Sequence, residues 1–168
     1  RLIGILLAHA GIFEHSNLRE MFNEFYSTVR GNSLEAFWKD LLSDKPDLFY
    51  LIYDDVLNNE EGDLKKAIHE LPSKELQEYN FFGLGRQLGT QDYIGQRVHQ
   101  VMTIIRNLSF FEENISILAS DKTLIRFLVM SANVRWNNLH MMALDVLGNI
   151  CSDVILKDPF ADLVSRHL

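Results

Sequence analysis

Val101-Met102-Thr103-Ile104-Ile105-Arg106-Asn107-Leu108-Ser109 lies over Ala143-Leu144-Asp145-Val146-Leu147-Gly148-Asn149-Ile150-Cys151 without a gap. Apolar positions coincide, small residues close both segments, and Asn107 falls on Asn149, 42 residues later. Each segment carries the three- and four-residue spacing of an amphipathic helix. One stripe is Val98, Val101, Met102, Ile105 and Leu108; the other is Leu139, Met142, Ala143, Val146, Leu147 and Ile150. Between the two asparagines the sequence accommodates a short helix near 114–119, a turn at Ser120 and Asp121, and a second helix over 124–130. That second helix is apolar almost all round apart from Arg126, the pattern of a helix buried on several sides.

A period of 42 residues lies within the range of about 40–47 residues for HEAT and armadillo units. One short and two longer helices per unit match the armadillo plan rather than the two-helix HEAT plan. The sequence therefore predicts an all-α fold, an armadillo-like helical-repeat (α-α superhelix) solenoid segment over residues 1–168. Residues 97–156 hold the best-formed repeats. Residues 1–30 read as a degenerate N-terminal repeat, with 2–8, before Gly11, as its buried helix. Residues 31–96 read as divergent helices with acidic and glycine-rich loops, and 157–168 as the start of a further repeat.

The helical period extends upstream. Leu18, Met21, Phe22, Phe25, Tyr26 and Val29 form one stripe, and Leu34, Phe37, Trp38, Leu41 and Leu42 form another. Asn32 followed by Glu35 resembles a capping box opening the second, and Pro46 stops it. Residues 48–53 are aromatic-rich but have no hairpin partner. Residues 54–63 contain five acids and no base, the composition of a solvated loop. Short helices are expected at 64–71 and 74–79.

Composition narrows the function classes. A chain of 168 residues that is 47% hydrophobic is long and apolar enough to fold as one domain rather than remain disordered. No apolar run approaches the roughly 18 residues of a membrane span, so no membrane contact is expected. The single cysteine, Cys151, excludes a disulfide framework and favours a reducing compartment. The net charge of −7 arises in residues 1–84, with fifteen acids and eight bases; residues 85–168 carry eight of each. Neither half has the basic excess of a nucleic-acid binder, so no direct nucleic-acid contact is expected. The chain opens at Arg1 without an initiator Met or a signal-peptide shape, and reads as a segment of a longer protein.

These residues bear a resemblance to the armadillo-repeat region of the ARID-containing subunit specific to PBAF-type SWI/SNF chromatin remodellers. The stretch that carries it is Leu88-Gly89-Thr90-Gln91-Asp92, Ile94-Gly95-Gln96-Arg97-Val98 and Ile105-Arg106-Asn107-Leu108-Ser109-Phe110. Leu124-Ile125-Arg126-Phe127-Leu128, Ser131-Ala132 and 144–150 extend it, and upstream 6–13 and Phe37-Trp38-Lys39-Asp40 match too. The resemblance is weak over 43–82. It implies a nuclear, non-enzymatic scaffold that docks other core subunits of a SWI/SNF-type remodelling complex, with nucleic acid handled by modules outside this segment.

The candidate site residues are Asn107, Asn149, Arg106, Arg135, Trp136 and Arg86. In peptide-binding armadillo proteins, asparagines placed like Asn107 and Asn149 clamp an extended ligand backbone, because an amide both donates and accepts. The competing role is an internal hydrogen bond holding the repeat together. Nuclear-import armadillo proteins place Trp one turn before such an Asn; here Thr103 or Asp145 stands there. Trp136, Phe110 and Phe111 fall near turns and are either caps over the core or anchors for a partner. Arg135-Trp136-Asn137-Asn138 is the candidate exposed contact. The loop 83–89 lacks Gly at Leu88 and is no dinucleotide fingerprint, although its Arg86 is placed to meet a partner. Gly62 in the acidic stretch makes Leu57 the first ligand of an EF-hand loop, so the calcium spacing fails. The six histidines form no i, i+4 metal pair or Cys/His cluster, and His99 and His140 are read as interface or surface residues. Cys151 matches Ser109, a small packing position. No paired acid and base is apparent, so no enzyme activity, cofactor, metal or small-molecule ligand is expected.

Overall fold

A computed structural model describes residues 2–13, 34–52, 92–157 and 160–168. The 18–29 stripe, Asn32, the acidic stretch 54–63, the expected helices at 64–71 and 74–79, and the glycine-rich 83–89 with Arg86 lie outside the described residues.

Every regular element among the described residues is helical. In chain order they are α1 (Leu2–His9), α2 (Leu34–Leu41), a 3-10 helix (Pro46–Ile52), α3 (Tyr93–Leu108), α4 (Glu112–Ser120), α5 (Lys122–Ser131), α6 (Asn137–Ile150) and α7 (Phe160–His167). Residues 46–52, aromatic-rich in sequence, form a tight helix opened by Pro46, whose fixed φ suits a first helical turn.

Aspartates punctuate the best-ordered run. Asp92 Oδ1 accepts hydrogen bonds from the Ile94 N–H at 2.7 Å and the Gly95 N–H at 3.3 Å, and so opens α3 before Arg97, where the apolar pattern sharpens. Asp121 separates α4 from α5: its N–H donates to the Leu118 carbonyl, and its carboxylate accepts from the Leu124 N–H at 2.9 Å. At the end of α3, the Ser109 hydroxyl donates to the Arg106 carbonyl at 2.8 Å.

Among the described residues, α5 is the most completely buried helix. It packs against α1, the 3-10 helix, α4 and α6, and every residue from Thr123 to Ser131 is buried. Arg126 is included. Its Nη2 donates to the Phe13 carbonyl at 2.8 Å and the Thr123 hydroxyl at 3.3 Å. A residue that interrupts the apolar pattern is thus the link from α5 to the N-terminal segment.

That segment is shaped by Gly11. Its φ of +86° lies in the left-handed region, and the Ile12 N–H donates back to the Leu7 carbonyl to close α1. A Cβ on Gly11 would lie 2.8 Å from Leu34 Cβ, so close approach as well as conformation requires glycine. The turn offers its Ala10 carbonyl to the buried Trp38 indole N–H at 2.8 Å. Trp38 stands edge-on to Phe37 and to Phe127 of α5, with centroids 5.7 and 5.9 Å apart. α1 itself buries Leu7 and Ala8 but leaves Leu2 and Ile5 exposed.

Candidate interaction surface

α3 and α6 lie side by side, and a line of side-chain contacts runs along their seam. The His99 and Trp136 rings stack with centroids 5.7 Å apart and planes 25° from parallel. The Thr103 hydroxyl reaches the Met142 sulfur at 3.9 Å. Arg106 Nε donates to Asp145 Oδ2 at 2.8 Å. The Asn149 side-chain amide donates to the Ser109 hydroxyl at 2.9 Å.

The candidate residues therefore divide. Asn149 is engaged within the seam and half-buried. Asn107 is exposed, and its side chain makes no hydrogen bond to a described residue. Arg106 ties α3 to α6, and its guanidinium also sits 5.3 Å from the Phe110 ring centroid. Trp136 is half-buried against His99.

Arg135 is exposed and pairs with Asp44, on the turn after α2. Beside this pair Lys45 Nζ donates to Asn133 Oδ1. Together they bound a cleft of about 290 Å³ whose floor is Leu41, Leu42 and Val134. His140 also lines it, with Nδ1 donating to the Ala132 carbonyl at 2.6 Å. Each cation at the rim has an acid or amide partner. The Lys45 and Arg135 contacts tie the α2 turn to the α5–α6 turn, and among the described residues the lining has no Ser, Thr or Cys side chain.

The Cys151 thiol is exposed and donates to the Gly148 carbonyl at 3.2 Å. Among the described residues no group of three His, Cys, Asp or Glu side chains is placed to hold a metal ion, and no helix is long and apolar enough to cross a membrane.

The turn aromatics, left open between caps and anchors by the sequence, also separate. Trp136 packs on His99. Phe110 is 59% and Phe111 60% exposed, and Ile117 on α4 is 58% exposed. The signal in the sequence is the residue before α4: Phe111 occupies an N-cap position and gives no side-chain cap.

No family model matches the chain. The chain is similar along its whole length to AT-rich interactive domain-containing protein 2 of Mus musculus. The two are 35% identical over 170 residues, which cover 100% of this chain and 9% of that relative. The SWI/SNF chromatin remodeling complex subunit swsn-7 of Caenorhabditis elegans is 29% identical over 171 residues, 99% of this chain and 12% of its own length. The chain thus spans about a tenth of the curated relatives it matches.

Proposed function

We propose that this chain is a non-enzymatic, nuclear scaffold segment of a SWI/SNF-type chromatin-remodelling complex, of the PBAF type, and that its helices form an armadillo-like stack docking other core subunits. The observation that carries this reading is the whole-length similarity to two relatives, one of them named as a SWI/SNF chromatin remodeling complex subunit. The helical seam between α3 and α6 supports it. Four side-chain contacts hold two helices whose sequences repeat at 42 residues, as stacked units of a solenoid require. Its role is mechanical: it keeps partners in register while a separate motor acts. Nucleic acid, membrane and small molecules are not its ligands on this reading.

The alternative, a reversible peptide-binding module, needs both asparagine amides open to a ligand backbone. Asn149 is already bonded to Ser109, which favours the scaffold.

The test is deletion of residues 97–156 from the subunit in its intact assembly. The scaffold reading expects loss of co-purifying core subunits with the motor's intrinsic ATPase rate unchanged. Assembly that survives the deletion overturns it.

A further inference from the structure

α4 and the turn before it carry exposed apolar side chains that the scaffold reading does not assign. Phe110 and Phe111 stand next to one another, each more than half exposed, and Ile117 is exposed on the helix that follows. Neighbouring helices begin differently. Asp92 and Asp121 cap α3 and α5 with their carboxylates, and Trp136 before α6 stacks on His99. Phe111 neither caps nor makes a ring contact with a described residue. A polar N-cap is worth about 1 kcal/mol, so local stability alone favours Ser or Asp at this position. Departures from local rules are expected where a site has another use.

Phe110 is held in place. Arg106 lies against its ring, and Asp145 holds Arg106. An aromatic anchor fixed before binding loses little freedom when a partner arrives.

Arg106, against the Phe110 ring, is paired with Asp145, and the charges next to the rings that make no ion pair with a described residue are the acids Glu112 and Glu113. Residues 109–121 contain Glu112, Glu113 and Asp121 and no base. Glu112 and Glu113 are exposed and make no ion pair with a described residue, while Asp121 is used as the cap of α5. Glu113 and Ile117, four apart on the helix, share a face, which sets an acid beside an exposed apolar side chain. Phosphates and anionic lipid headgroups are repelled by this rim. A segment with apolar side chains set between lysines or arginines fits it, since the stems of those residues cover apolar surface while their charges meet the glutamates.

We propose that Phe110, Phe111 and Ile117, rimmed by Glu112 and Glu113, form a docking site for a basic amphipathic segment of another protein. The inference stands apart from the armadillo reading, because it rests on this one helix start.

The probe is a synthetic amphipathic peptide of leucine and lysine, compared with a leucine and glutamate peptide of identical apolar pattern. Binding to the 168-residue chain is followed by fluorescence anisotropy. The lysine peptide is expected to bind at least about tenfold more tightly than the glutamate peptide. Phe111→Ser is expected to weaken it about tenfold while leaving the melting temperature equal or higher, because serine is the better cap. Glu112→Lys with Glu113→Lys is expected to reverse the preference. Equal binding of both peptides, or unchanged binding by the Phe111→Ser chain, overturns the proposal. A lower melting temperature in Phe111→Ser makes Phe111 a core residue and also overturns it. Two further results overturn it by naming another occupant. One is self-association in sedimentation that Phe111→Ser abolishes. The other is binding to phosphatidylserine vesicles that Phe111→Ser abolishes.

Discussion

The end of α3 and the end of α6 carry the same residue pattern in unequal surroundings. α3 packs α1 and α2 as well as α6, whereas α6 packs α3, α4 and α5. Positions 42 residues apart differ accordingly. Met102 is fully buried and Leu144 is 39% exposed; Ser109 is buried and Cys151 is exposed. The contacts along the seam run from α3 toward α6 through His99, Thr103, Arg106 and Ser109. Their counterparts on α6 are Met141, Asp145, Gly148 and Cys151. A repeat in sequence sets which face of a helix is apolar. Burial is set by what lies against that face.

The strongest way to break this comparison is to truncate the matched apolar pair. Met102→Ala removes a buried side chain from a packed site and is expected to cost about 3 kcal/mol in urea unfolding. Leu144→Ala is expected to cost under about 1 kcal/mol, because much of its side chain already meets water. Equal costs would mean that the two faces are equally covered, and the difference drawn between α3 and α6 would fall.

The same contrast explains what was legible in the sequence. Among the described residues α3, α5 and α6 lie where the apolar spacing places them, and the α4–α5 turn at Ser120 and Asp121 is where turn residues interrupt it. Residues 46–52 are less legible, since a short aromatic run without a partner strand has no decisive period. Arg126 shows another limit. Its stripe marks α5 for burial, but the acceptor that allows a guanidinium inside is a carbonyl 113 residues away, at Phe13. Among the candidate site residues, the asparagines are equivalent by repeat and not by environment. Only the presence of Ser109 beside Asn149 separates them, and that is a tertiary contact.

A smaller effect sharpens the pair of asparagines. Asn149→Ala leaves the buried Ser109 hydroxyl without its donor and is expected to destabilise by about 1 kcal/mol. Asn107→Ala, at an exposed side chain with no described partner, is expected to stay within about 0.5 kcal/mol of the parent. Urea midpoints of the two variants measured side by side decide it. A larger loss at Asn107 would show that the repeat, rather than the seam contact, controls these positions.

The last expected effect has the opposite sign. Gly148 stands where α3 has Arg106, near the end of α6, and a Cβ built on it meets nothing within 4 Å. Glycine inside a helix costs conformational entropy that alanine does not, so Gly148→Ala is expected to stabilise the chain by about 0.5–1 kcal/mol. Gly11→Ala is expected to destabilise it instead, because of the left-handed φ and the contact with Leu34. Thermal melts of both variants test the two signs together. A loss at Gly148 would mean that another part of the molecule lies against the outer face of α6 in solution, and the contrast with α3 would then be a matter of degree.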